Sequence, residues 1–146
     1  MEGNGGLTVD SLEKSMFFIP NRLFVQDNEM YVSFNIAGIP SDMEVTSMIL
    51  YVPLPEVSSE VRLDLHEIVA AWDEQSVTHV RPVYTQARSK GYFCSVTKEG
   101  SFALEHLAHP WRSHSLENHG VYVRVHSLDP VLLSEEHPPY LIVKTV

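Results

Sequence analysis

Apolar and polar residues alternate along several short stretches of the chain, which is the pattern expected of half-buried β-strands. The clearest stretch is Glu29–Ile36, whose two sides are Met30, Val32, Phe34 and Ile36 against Tyr31, Ser33 and Asn35. Turn-forming residues separate it from seven further segments that we predict as strands: 16–19, 22–25, 44–52, 60–68, 91–96, 121–126 and 140–146. The chain is therefore expected to consist mainly of short strands.

One segment favours a helix, Phe102–Trp111, where apolar residues recur at spacings of three and four. Pro110 is expected to limit its length. Some eight strands and one short helix predict an all-β fold, an antiparallel β-sandwich of the jelly-roll type. We expect a single domain over residues 15–146, preceded by a flexible, Gly-rich N-terminal arm over residues 1–14.

The charge of the chain excludes some classes of partner. Nineteen acidic residues against ten Lys and Arg give a net charge of −9, which argues against binding nucleic acid or an anionic membrane surface. Membrane insertion is not expected either, because no apolar run is long enough to span a bilayer.

Cys94 is the single cysteine, so an intrachain disulfide is impossible. The N-terminus lacks the pattern of a signal peptide, and the compartment stays open.

Residues that could carry catalysis do not form a known pattern. His106 and His109 are three residues apart on the predicted helix, but Glu105 is the only nearby carboxylate on that helix and no His-Glu-x-x-His motif is present. Asp73 and Glu74 are adjacent, so on an extended segment they would point to opposite faces. Cys94 lies in an apolar run without a His partner at a recognisable spacing. We therefore expect no enzyme activity, no metal site and no cofactor.

A binding site is easier to propose than a catalytic one. Tyr31, Tyr51 and Tyr122 occupy positions expected to face outward on strands, and Arg124 is close to Tyr122 in sequence. Sugars stack on exposed aromatic rings, so these four residues are candidates for carbohydrate binding. A coplanar row of the rings would support that hypothesis, and scattered rings would count against it.

Five segments in order resemble DNRLRE domains of bacteria. Trp72–Thr78 is similar to their Trp-x-Glu-x-Ser-Val-Thr motif, with Trp72, Glu74 and Thr78 at the matching positions. The other four segments are Phe34–Pro40 with its following strand, Phe102 with Trp111, Asn118 with Gly120, and Pro139–Val143. The same order resembles the arm region of TGF-β-type growth-factor prodomains. The matches extend over residues 30–146.

This resemblance implies a jelly roll that binds or assembles without catalysis. Three hypotheses follow: a structural component of a surface or coat layer, a carbohydrate-binding module, and a prodomain-like shield for a protein partner. The expected partners are thus other copies of the chain or another protein, with polysaccharide as the alternative. An exposed apolar surface of a few hundred Å² would be expected of the shield.

Overall fold

A computed structural model describes residues 13–55, 60–75, 84–85, 87–114 and 116–146. These residues form ten strands, a short 3-10 helix η1 (Ile36–Gly38) and the α-helix α1 (Glu105–Arg112). The strands are β1 (Lys14–Phe18), β2 (Arg22–Gln26), β3 (Glu29–Ser33), β4 (Val45–Pro53), β5 (Val61–Glu67), β6 (Ser89–Lys90), β7 (Tyr92–Cys94), β8 (Glu99–Ala103), β9 (Val121–Ser127) and β10 (Tyr140–Thr145).

The strands form two five-stranded antiparallel sheets. Sheet I has the order β1-β10-β4-β8-β7, and sheet II has the order β2-β3-β9-β5-β6. The chain crosses between the sheets repeatedly, from β3 to β4, from β4 to β5 and from β9 to β10. This arrangement confirms the predicted fold class, an all-β sandwich with one short helix.

The core lies between the inward faces of the two sheets, as the period-two alternation predicts. Its most deeply buried side chains from sheet I are Met48, Leu50, Val52, Phe102, Leu141 and Val143. Those from sheet II are Met30, Val32, Leu63, Leu65, Val121, Val123 and Val125. The alternate side chains of these strands therefore point outward, on the side of each sheet that faces away from the core.

The segment predicted as a helix is divided between two elements. Phe102 belongs to β8, which pairs with β4 and directs the Phe102 ring into the core. The helix α1 begins only at Glu105 and continues past Pro110 to Arg112, packing Leu107, Ala108 and Trp111 inward. The helical spacing of apolar residues at 104–111 overlaps with the alternation of Gly100, Phe102 and Leu104, which is the pattern of a strand. The helix ends two residues after Pro110, in agreement with the expectation that this proline limits its length, and a proline in the last turn removes only one intrahelical hydrogen bond.

Two predictions concern parts of the chain that the structure does not describe. Residues 1–12 of the predicted N-terminal arm lie outside the described residues, whereas Lys14 begins β1. Thr78 of the Trp72–Thr78 motif also lies outside them. Among the described helices, none has the length and apolar character needed to cross a membrane.

Candidate interaction surfaces

An aromatic cluster covers much of the outer face of sheet II. It consists of Phe24, Tyr31, His66, Trp72, Tyr84 and Tyr122. Cross-strand register explains why four of these rings lie side by side: Phe24 of β2 pairs with Tyr31, Tyr31 with Tyr122, and Tyr122 with His66. Tyr84 stacks on Tyr122 at 4.1 Å between ring centroids with an interplanar angle of 3°.

Tyr31 and Tyr122 are buried within this cluster. They face away from the main core as predicted, but only 7% and 2% of their surfaces are exposed. The expectation of open rings was wrong, because Trp72 and Tyr84 pack over the sheet and shield it. Burial, then the neighbouring Tyr84 and Glu29, raise the pKa of Tyr31 to about 12.

Several contacts hold Trp72 in its place over the sheet. Its indole Nε1 donates a 2.7 Å hydrogen bond to the carbonyl oxygen of His119, and its ring lies under the guanidinium of Arg22 at 4.5 Å. Arg22 also donates to the carbonyl oxygen of Trp72. Glu74, the other described residue of that motif, is exposed. Trp72 is therefore placed to stabilise the fold and offers little open ring to a ligand.

A basic patch lies beside the aromatic cluster on the same face of sheet II. It consists of Arg62, Arg88, Lys90 and Arg124, grouped around the buried carboxylate of Asp64. Asp64 lies on the outer side of β5, yet it is only 3% exposed. Its Oδ2 lies 2.9 Å from His126 Nε2, 3.6 Å from Arg62 and 3.7 Å from Arg88. The two guanidinium groups and the contact with His126 compensate the cost of burying the charge.

The outer face of sheet I is different, because apolar side chains cover it. In one row Phe17 pairs with Ile142, which pairs with Ile49. In the next row Tyr140 pairs with Tyr51, and Ser101 connects Tyr51 to Tyr92. We call this surface the apolar face: Phe17, Ile49, Tyr51, Tyr92, Tyr140 and Ile142. Phe17 and Tyr92 at its margins are 64% and 74% exposed, and the other four are partly exposed.

Three rings of the apolar face stack on one another. The centroids of Phe17 and Tyr140 are 5.3 Å apart, and those of Tyr140 and Tyr51 are 5.2 Å apart, with interplanar angles of 25° and 17°. Tyr140 therefore has a ring against each of its faces. Its hydroxyl donates to Glu99, and burial followed by this hydrogen bond raises its pKa. Within the stack Tyr140 therefore has no open ring face, whereas a sugar needs one.

The four candidate sugar-binding residues are thus not one site. Tyr31, Tyr122 and the exposed Arg124 share sheet II, whereas Tyr51 lies on the opposite side of the sandwich in sheet I. The two buried tyrosines and the separated Tyr51 do not form the coplanar row that carbohydrate binding by these residues requires. Sequence analysis missed Phe17, Tyr92 and Tyr140, although each occupies an outward position on a strand.

A cleft of about 730 Å³ lies at the end of the sandwich between η1, the C-terminus of α1 and residues 113–114 and 117–119. Asn118 forms one wall: its Nδ2 donates to the carbonyl oxygen of Phe34 at 2.8 Å, and its Oδ1 accepts from the amide of Gly120 at 3.1 Å. Gly120 has φ +88°, and a Cβ there would meet the carbonyl oxygen of Val32 at 2.1 Å. The Asn118–Gly120 pair is therefore placed to anchor the start of β9.

The histidines near this cleft do not assemble a metal site. His109 and His119 line it together with Arg112, but Arg112 donates to the carbonyl oxygen of Pro40 and His119 Nε2 lies 2.9 Å from Glu117. Within the residues that the structure describes, no three His, Cys, Asp or Glu side chains are grouped to hold a metal ion. Three polar residues of the lining, Arg112, Asn118 and His119, therefore have contacts within the protein.

No model of a known protein family matches the chain, and no curated protein sequence is significantly similar to it. The resemblance to DNRLRE domains and growth-factor prodomains therefore stays a prediction from short segments.

Proposed function

We propose that this protein is a non-catalytic assembly module whose copies pair through the apolar face of sheet I. One observation carries the proposal: a five-stranded sheet whose outer surface bears stacked aromatic and aliphatic side chains, with Phe17 and Tyr92 more than half exposed. Contiguous apolar surface of this kind marks protein–protein contacts in folded domains. Aromatic side chains are also the residues most enriched at the centre of such contacts.

The size of the surface suits a pair of copies with a modest contact area. The five strands of sheet I have 28 residues together, which at about 3.3 Å per residue and about 4.8 Å between strands gives an outer surface of roughly 440 Å². A stable protein interface buries about 800 Å² on each partner and a weak one less than about 600 Å², so pairing would use the whole outer face together with its margins. Two such faces, packed about 10 Å apart as sheets are in a sandwich, would bury the aromatic stack of each copy.

The charges at the margin of the face are compatible with pairing of identical copies. Lys144 lies on the outer side of β10 beyond the apolar rows at one end, and Glu99 lies on β8 at the other end. A two-fold axis in the plane of the sheet, running across the strands, would bring Lys144 of one copy towards Glu99 of the other. Self-association through one patch on both copies is the commonest symmetry of protein oligomers.

The experiment is the solution mass by light scattering of the intact chain and of Phe17→Glu/Tyr92→Glu. Both positions are well exposed, so the substitutions should leave the fold intact. Leu128→Glu/Leu132→Glu is the matched control, because it places two charges on exposed apolar residues away from sheet I, 95% and 63% exposed. In about 0.5 M salt, which screens contacts between charged surfaces, we expect association for the intact chain and the control, and a mass of 16.5 kDa for the Phe17/Tyr92 variant.

Three results would decide against pairing through sheet I. A monomeric intact chain at micromolar concentration would remove assembly and favour the shield hypothesis, in which a different protein covers the apolar face. Continued association of the Phe17/Tyr92 variant would move the contact elsewhere on the molecule. Loss of association on deleting residues 1–12, which leaves β1 intact, would assign the contact to the N-terminal arm.

A further inference from the structure

Pairing through the apolar face would not by itself build a layer. A two-fold contact uses the same patch on both copies and closes after two, so an extended assembly needs a second contact between different surfaces. This inference rests on the proposed assembly function and concerns how that assembly would continue beyond a pair.

The basic patch of sheet II is the surface that departs most from the acidic character of the chain. Arg62, Arg88, Lys90 and Arg124 are four of only ten Lys and Arg residues, in a chain with a net charge of −9. Two carboxylates lie among them on the sheet surface, because cross-strand register places Glu29 beside Arg124 and Arg124 beside Asp64. The cations therefore outnumber the carboxylates on this part of the sheet.

The charged ends of the patch remain accessible although Asp64 organises them. The side chains of Arg62 and Arg88 are 54% and 61% exposed, whereas that of Asp64 is 4% exposed. A guanidinium has five N–H donors, and a single carboxylate at 3.6–3.7 Å leaves most of them directed to solvent. Asp64 thus holds the cations in place beneath a surface that can still bind carboxylates.

The same chain offers a complementary acidic surface at one end of the sandwich. This acidic end comprises Asp27 in the β2–β3 turn and Asp129, Glu135 and Glu136 in the connection from β9 to β10, all of them exposed. The amide of Leu133 donates to the carbonyl oxygen of Asp27 at 2.8 Å, which joins the turn to the connection. The hydroxyl of Ser134 accepts from the amide of Glu136 and fixes the turn that carries both glutamates.

We propose that the basic patch of one copy binds the acidic end of a neighbouring copy. The two surfaces are distinct but neighbouring, because Asp27 and Asp129 border one groove with His126, whose Nε2 lies 2.9 Å from Asp64 of the patch. A contact of one patch with one end is heterologous and leaves a free patch and a free end at each step. Combined with pairing through sheet I, it extends the assembly in a second direction. Its strength depends on charge, so salt weakens it, whereas the apolar contact of sheet I persists.

The test uses two charge-reversed variants and their mixture, followed by light scattering at low and high salt. Arg88→Glu/Lys90→Glu makes the patch acidic, and Glu135→Lys/Glu136→Lys balances the charge of the end, because Asp27 and Asp129 remain. Neither variant alone then has two surfaces of opposite sign. We expect the intact chain to form species several-fold heavier than a pair at low salt. Each variant alone, and the intact chain in about 0.5 M salt, should stop at the pair, about 33 kDa from two 16.5 kDa chains.

Mixing the two variants is the decisive step. The acidic end of the first fits the basic patch of the second, and pairing through sheet I links these contacts to one another, so the mixture should regain the heavy species. Recovery also shows that both variants are folded. Failure of the mixture to assemble, or assembly of either variant alone, would overturn the inference while the pair at high salt left the proposed function standing. If the patch variant unfolds, loss of heavy species in the Glu135/Glu136 variant alone still decides, because those side chains lie in an exposed turn.

Discussion

The replacement Trp72→Phe separates a structural aromatic cluster from a ligand site. Trp72 is 5% exposed, contacts Tyr31 at 5.6 Å between ring centroids and donates from its indole to the carbonyl oxygen of His119 at 2.7 Å. Phenylalanine keeps an aromatic ring but lacks the N–H donor. The carbonyl of His119 would then lose a partner in a partly buried position, and Arg22 would lie over a weaker π-system.

The expected loss of stability follows from these contacts. A lost hydrogen bond contributes about 1 kcal/mol, and a buried carbonyl left without a partner costs about 1–2 kcal/mol more. The smaller ring adds about 1 kcal/mol of lost apolar burial. We therefore expect the free energy of unfolding to fall by about 3 kcal/mol. With a urea m-value of about 1–3 kcal/mol/M, the unfolding midpoint should decrease by about 1–3 M.

Urea unfolding followed by circular dichroism measures this change, and Trp111→Phe is the control. Trp111 is 6% exposed in the main core, so its replacement removes a similar ring area without the His119 contact. The Trp72 variant should be the less stable of the two by about 1–2 kcal/mol. Equal losses would refute the anchoring role of the indole N–H. Unchanged stability with altered assembly or ligand binding would make Trp72 part of a binding site.

Three further predictions test other features of the fold. Gly120→Ala should lower the free energy of unfolding, measured with heat or urea, by about 3 kcal/mol or more, because φ +88° and the Val32 carbonyl at 2.1 Å leave no room for a Cβ. Gly38→Ala is the control: its nearest new contact is 3.9 Å, so the free energy of unfolding should fall by less than about 1 kcal/mol. Burial raises the pKa of Tyr31 from 10.0 to about 12 and that of Tyr122 further, so the unfolded chain loses protons first above pH 10. The free energy of unfolding should therefore fall between pH 10 and 12, by up to about 1.4 kcal/mol per pH unit for each tyrosine, and Tyr122→Phe should reduce that slope. Hydrogen bonds from Thr97 lower the pKa of Cys94, which lies on the outer side of sheet I near Tyr92, so maleimide should label it in the folded chain. Labelling should slow as protein concentration rises, and an unchanged rate would contradict burial of sheet I between copies.

The sequence determined the inside of this protein. Alternation at 29–36, 60–68 and 121–126 identified the side chains that fill the core, because a strand buried on one face must place its apolar residues at every second position. The order of short strands and turns likewise led to an antiparallel sandwich. Where helical spacing overlapped with strand alternation, at Phe102, the local pattern was ambiguous, and pairing of β8 with β4 decided it.

Only the tertiary structure decided the roles of the outward positions. Tyr31 and Tyr51 both alternate with core residues and are indistinguishable by local pattern. Tyr31 is buried because Trp72 packs over it on sheet II. Tyr51, in contrast, remains partly exposed beside Tyr140 and Phe17. The basic patch arises in the same way, since cross-strand register joins residues from β5, β6 and β9 around Asp64. Alternation assigns each residue to a face of its strand, but the long-range pairing of strands and loops determines what covers that face.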